Sequence, residues 1–218
     1  MPVEKGGILE VDHAVKNKTK TTLTDFLRVR FKGVLDPIGA FFNRLGLMPN
    51  TMTILGLVGN TIGAYLLAVG KMSWGGLIIL AMGPIDALDG TMARLRGEAG
   101  EFGAFVDSVT DRYSELVIFG GLIFFFLQKG DWWSCLAVYL AAAGSVLVSY
   151  VRARGQSLGM DTKVGILTRF ERYLVLAPAL LLNQPLIGVW IIAILANFTA
   201  VQRILDVRRQ AHQKRSKQ

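Results

Sequence analysis

Long apolar stretches separated by short polar breaks run through most of the chain. Taken in order, they predict helical spans over about 49–69, 73–94, 101–127, 132–151, 169–182 and 186–204. Several approach the roughly 20 residues that a helix needs to cross hydrocarbon. Asn50 reads as the N-cap of the first span, with Thr53 three residues on. Pro84 is expected to kink the second span just before Asp86. Upstream, residues 22–45 mix Phe26, Leu27, Val34, Leu35, Phe41 and Phe42 with Arg28, Arg30, Lys32 and Arg44. That mixture predicts an amphipathic helix on the membrane surface, interrupted near Pro37, which has no backbone N–H to donate. Residues 1–22 are polar and basic, with Lys16, Lys18 and Lys20, and read as a flexible arm. The expected fold is an all-α integral membrane protein with six transmembrane helices and an N-terminal amphipathic juxtamembrane helix. Its expected parts are an arm and juxtamembrane helix (1–48), a six-helix domain (49–206) and a basic tail (207–218).

Charge supplies the orientation. The formal net charge is +8, which by itself would suit a nucleic-acid partner. The distribution argues otherwise. Of 24 lysines and arginines, Lys71 and Lys129 alone fall in the loops opposite the termini. Positive residues flanking spans face the cytoplasm, where anionic lipid headgroups attract them. Both termini are therefore expected in the cytoplasm of a multi-pass cell-membrane protein, with membrane lipids and no nucleic acid as partners. Residues 1–40 show no apolar run of the signal-peptide kind, so no cleavable leader is expected. The single cysteine, Cys135, excludes an internal disulfide and a cysteine-based metal cluster. His13 and His212 lie near the ends, which argues against a histidine metal site.

Chemistry concentrates in 86–111. Asp86 and Asp89 are i, i+3 at the end of the second span; Asp107 and Asp111 are i, i+4 at the start of the third. Each pair shares one helix face. A break rich in small and polar residues over 95–101 lets the chain reverse, so that the acidic faces meet in an antiparallel pair at the cytoplasmic side. Four carboxylates near hydrocarbon need compensation. Oxygen ligands suit Mg²⁺ or Mn²⁺, and four carboxylates can hold two such ions, a recurrent device in phosphoryl chemistry. Gly90 and Gly103 remove side chains beside the acids, and Arg94 is spaced to meet a phosphate. The bland alternative is a set of buried acids relaying protons or ions through a transporter. It predicts acids spread along a crossing path, whereas these cluster at one face.

The spacing D-x2-D-G-x2-A-R-x8-G-x3-D-x3-D resembles the signature of the CDP-alcohol phosphotransferase family, and every specified position is filled: Asp86, Asp89, Gly90, Ala93, Arg94, Gly103, Asp107 and Asp111. The resemblance implies that an alcohol attacks the lipid-bearing phosphorus of a CDP-linked lipid, such as CDP-diacylglycerol, and CMP leaves. It implies Asp86, Asp89, Asp107 and Asp111 as metal ligands, with Asp111 also the general base. It further implies Asn50, Thr53, Gly90, Ala93, Arg94 and Gly103 at the donor, and a homodimer. Gly100 stands where relatives carry Ser or Thr, so one hydroxyl contact to the donor is missing.

The acceptor is read from a second basic cluster. Ser149-Tyr-Val-Arg152-Ala-Arg154 and Gly165-Ile-Leu-Thr-Arg169-Phe-Glu-Arg172 resemble the phosphatidylinositol-phosphate synthase branch of that family. In that branch the residues matching Ser149, Arg152 and Arg172 hold the phosphate of inositol 1-phosphate, and Arg203 or Arg208 is expected to add a last contact. Guanidinium groups suit a phosphate monoester. Ordinary flanking charge explains any single one of these arginines equally well. Glycerol 3-phosphate is the alternative acceptor. Serine or free inositol would leave the arginines without a purpose.

Overall fold

The computed structural model describes residues 23–98, 100–162 and 164–216, with side chains described from Lys32 onward. The arm over 1–22 lies outside the described residues, as do the side chains of Phe26, Leu27, Arg28 and Arg30. The described residues form seven helices and no strand: α1 (Leu23–Arg44), α2 (Pro49–Ala68), α3 (Met72–Arg96), α4 (Glu101–Gln128), α5 (Trp132–Ser157), α6 (Arg169–Leu181) and α7 (Pro185–Arg215). Four of them, α2, α3, α5 and α7, are long and apolar enough to cross a membrane. α4 is as long, but Asp107, Asp111, Arg112 and Glu115 crowd its first fifteen residues. α6 has 13 residues, about 20 Å of helix against a hydrocarbon core of about 30 Å.

The residues from Gly33 onward form one compact unit. Its core gathers Leu67, Ile79, Phe119, Leu122, Val138, Leu180, Val189 and Ile192 from six helices. The outer faces stay apolar: Ile54, Val58, Ile62 and Tyr65 of α2 are exposed, as are Trp132 and Trp133 at the head of α5. An apolar exterior around an apolar core suits lipid, and exposed tryptophans suit its interface. Small residues bring the helices together. A Cβ on Gly121 would lie 2.3 Å from the Ala64 carbonyl oxygen, so glycine is what lets α4 press on α2.

Four local expectations change. α1 runs through Pro37 without interruption; a proline costs the helix one hydrogen bond, and packing outweighs it. Leu35 and Phe42 pack on Met52, Leu88 and Met92, while Asn43 Nδ2 donates to the Met92 carbonyl. Asn50 is not the N-cap of α2. Met48 holds that position with no side-chain cap, because Pro49, pre-set for the first helical turn, starts the helix two residues earlier. The break after α3 is shorter than 95–101: the helix continues to Arg96, and Gly97, at φ 69°, closes it in the left-handed conformation. Finally, α3 and α4 do not pair along their lengths; both pack chiefly on α2. Their acidic faces still meet, through Asp86, Asp89 and Asp107.

Pro84 lies inside α3, a helix that continues past it. It cannot donate to the Leu80 carbonyl, and the hydroxyl of Tyr173 on α6 donates there instead, and to Ile79 O at 3.1 Å. A group orphaned by proline thus becomes the anchor of a neighbouring helix. α5 opens on a stronger cap: Asp131 accepts from Ser134 N (3.1 Å) and Ser134 Oγ (2.6 Å). Those two bonds, with the hydroxyl foremost, hold the Asp131 carboxyl below the usual carboxylate range.

Candidate active site

The two acidic pairs come together. One carboxylate oxygen from each of Asp86, Asp89 and Asp107 lies within 4.8 Å of the others. Oxygens on opposite sides of a Mg²⁺ ion, each at about 2.1 Å, would be about 4.2 Å apart, so the three carboxylates can enclose a hard divalent cation. Asp111 lies outside this trio. It is 7% exposed, and its Oδ1 is buried with no hydrogen-bond partner. An orphaned buried carboxylate oxygen beside three others is what a missing cation or a proton donor would satisfy. The residues therefore fit a metal, as the spacing predicts.

Named neighbours hold Asp86, Asp89 and Asp111. Thr53 Oγ1, buried on α2, donates to Asp89 Oδ2 at 2.7 Å. The Gly90 N–H donates to Asp89 Oδ1. Thr53 thus faces a carboxylate, a contact to which its expected donor role gave no clue. Ligand-orienting hydrogen bonds of this kind are worth about 10- to 100-fold in metal affinity. Thr53→Val, which keeps the shape and removes the hydroxyl, is expected to weaken Mn²⁺ binding at least about tenfold in a titration followed by electron paramagnetic resonance. Unchanged affinity would remove Thr53 from that role.

Arg169, the first residue of α6, joins the site from the opposite side. Its Nη2 donates to Asp86 Oδ2 at 2.9 Å, and its Nη1 pairs with Asp111 Oδ2. Arg112 Nη1 stands 3.9 Å from the same Asp111 oxygen. Asn50, Arg94, Arg152, Arg154 and Arg208 are exposed; Gly90, Ala93, Gly103 and Ser149 are half-buried. Arg94 Nη2 donates to Thr91 Oγ1, and its Nη1 lies against Gly90, 3.5 Å from where a Cβ would stand. A Cβ on Gly103 would meet nothing within 4 Å, so the space beside Asp107 is open.

Part of the second basic cluster, Arg172 and Arg203, is more deeply set than its sequence suggests. Arg172 is 2% exposed. Glu115 grips it from one edge, Oε1 to Nε at 2.6 Å and Oε2 to Nη2 at 3.0 Å, and the Leu167 carbonyl lies 3.4 Å from Nη1. Glu115 sits one helical turn beyond Asp111 and had no assigned role. Its signal was present, since an acid in a span implies a partner, but the partner is 57 residues away. Arg203 is also buried; it donates to Val164 O (2.9 Å) and Val148 O (2.7 Å), strapping the end of α5 and the following loop to α7. The loop is held further by the Leu167 N–H on Thr199 Oγ1 and by Gly165, at φ 132°, where a Cβ would strike Thr199. Arg172 and Arg203 thus both bond the 164–167 loop, and Arg152 lies one helical turn beyond Val148 on α5.

Residues 46–201 match the model of the family described as CDP-alcohol phosphatidyltransferase. A phosphatidylinositol phosphate synthase of Streptomyces avermitilis is 34% identical over 209 residues, covering 88% of this chain and 85% of the relative. An archaetidylinositol phosphate synthase of Pyrococcus horikoshii is 34% identical over 185 residues, covering 84% and 96%. The crystal structure of the Mycobacterium tuberculosis phosphatidylinositol phosphate synthase with CDP-DAG bound superposes with a TM-score of 0.73 at 30% identity, covering 80% of this chain and 93% of that one. The same enzyme in complex with manganese and citrate also gives 0.73, covering 79% and 88%. With the acidic site assembled and a match across most of its length, the chain belongs to the CDP-alcohol phosphatidyltransferase family, whose members are membrane-integral enzymes.

Proposed function

We propose that this enzyme transfers a phosphatidyl group from CDP-diacylglycerol to inositol 1-phosphate, releasing CMP and forming phosphatidylinositol phosphate. The observation that carries the acceptor is the meeting of Arg172 and Arg203 at the 164–167 loop, with Arg152 one turn beyond the Val148 carbonyl that Arg203 holds on α5. Like charges gathered in a protein call for an anion, and a phosphate monoester takes paired guanidinium hydrogen bonds. The relatives named above support the same acceptor.

In this reading Asp86, Asp89 and Asp107 hold Mg²⁺ or Mn²⁺, and Asp111 completes a two-ion site. The bound cations neutralise charge developing on the donor diphosphate. Asn50, Thr53, Gly90, Ala93, Arg94 and Gly103 line the cytidine diphosphate, the glycines leaving room for it and Arg94 meeting phosphate oxygen. Ser149, Arg152, Arg172 and Arg208 orient the acceptor. Asp111 takes the proton of the acceptor hydroxyl; that oxygen bonds to the lipid-bearing phosphorus, and the bond from phosphorus to CMP breaks. The chain crosses the cell membrane six times, α4 and α6 included, with the site and both termini cytoplasmic. Residues 1–48 form the arm and juxtamembrane helix, 49–206 the catalytic domain and 207–218 a basic tail. Two copies form a homodimer.

An acceptor screen tests this. Purified protein in detergent with Mg²⁺ and CDP-diacylglycerol is offered inositol 1-phosphate, glycerol 3-phosphate, serine and inositol, and CMP is measured. Release with inositol 1-phosphate alone is expected. Release with glycerol 3-phosphate instead would keep the metal site and replace the acceptor.

A further inference from the structure

We infer that Arg169 is a built-in competitor of the second cation: its guanidinium occupies the carboxylate oxygens that this cation needs, and it must withdraw as the cation binds. The inference rests on the two-ion reading given above. Its basis is the unequal treatment of the four acids. Asp86, Asp89 and Asp107 already form a trio able to enclose one cation. Asp111 is kept out of that trio, with Oδ2 paired to Arg169 Nη1 and Oδ1 bare. The same guanidinium takes Asp86 Oδ2 with its other terminal nitrogen. A cation shared between Asp86 and Asp111 would therefore meet the resident positive charge at both of those ligands, whereas one bound to the trio would meet it at Asp86 alone.

The position of Arg169 makes it poised to move. It is the first residue of α6, where the helix dipole disfavours a cation, so the two carboxylates are what hold it. Its side chain is 45% exposed, unlike that of Arg172. Tyr173, one turn on and on the same face, ties α6 to α3 through the carbonyls near Pro84. α6 can thus stay seated while the Arg169 side chain swings. Once displaced, the guanidinium lies on the same helix as Arg172, three residues away, ready for a second anion.

Mn²⁺ binding to the purified full chain in detergent tests this without turnover. In the wild type, two classes of Mn²⁺ are expected by electron paramagnetic resonance, one tighter than the other. Arg169→Met should tighten the weaker class about tenfold, in the usual range of coupling between sites, and leave the tight class within about threefold. Arg169→Lys should fall between. Unchanged weak-class affinity in Arg169→Met, or weakening of both classes, overturns the competition. Binding of only one Mn²⁺ to wild type and both variants overturns the two-ion reading itself. A second measurement needs no variant. Phenylglyoxal modification of Arg169, followed by peptide mass mapping, should quicken as Mn²⁺ fills the weaker class. A modification rate that is flat across the titration also overturns the proposal.

Discussion

Asp111→Asn is expected to lower turnover by roughly 10²- to 10⁴-fold, the usual worth of a positioned general base. The substitution is close to isosteric, and its amide oxygen can still accept from Arg169, so the buried corner where Asp111 sits should keep its packing. The trio of Asp86, Asp89 and Asp107 does not include Asp111, so one cation should bind as in the wild type. CDP-diacylglycerol binding should change little, because the expected donor contacts lie on α2, α3 and the head of α4. The measurement is CMP release beside donor binding and Mn²⁺ binding in the same preparation. Turnover within threefold of wild type would remove Asp111 from the base role. Loss of all metal binding would show that the four acids act as one unit, and the loss of rate could not then be assigned to proton transfer.

Arg172→Ala is expected to reduce stability as well as acceptor binding. The residue is almost wholly buried and holds Glu115 through two hydrogen bonds. Removing one partner of a buried ion pair strands the other, at about 3–5 kcal/mol. Glu115 is 17% exposed, so water relieves part of that cost and the lower end applies. For a chain of this size about 3 kcal/mol corresponds to a fall of about 10 °C in Tm. The double variant Arg172→Met/Glu115→Leu should recover most of the loss, since an apolar pair of similar volume strands no charge. Thermal unfolding in detergent reads both. An unchanged Tm in Arg172→Ala would mean that the pair contributes nothing to the fold. Kinetics below the unfolding range separate the second role. The KM for the acceptor should rise far more than that for the donor, and equal rises would take Arg172 out of the acceptor site.

The same pair shows how a residue read as a ligand acquires a structural duty. Arginines near the end of α5, the start of α6 and the second half of α7 look alike in sequence, all beside apolar runs. In the fold they divide by burial. Arg203 straps a loop to a helix, Arg172 pairs with an acid, Arg169 bridges the carboxylates of Asp86 and Asp111, and Arg152 and Arg208 remain exposed.

Local pattern was enough for the helices and for the composition of the acidic site. Apolar runs predicted α2 to α7 to within a few residues at most ends, because the hydrophobic signal is carried by the segment itself. The i, i+3 and i, i+4 spacings committed each acidic pair to one face, and a helix obeys that geometry whatever surrounds it. The helix ends were less legible: Pro49 displaced Asn50 from the cap, and α1 continued through Pro37. There a weak local preference met packing energy or backbone geometry and lost. What the spacing could not contain were the partners. Thr53 meets Asp89 across 36 residues, Glu115 meets Arg172 across 57, and Arg169 meets Asp86 across 83. Those pairings, and the packing of both α3 and α4 on α2, follow from how whole helices pack, where the long-range contacts of every side chain on a face are decided at once.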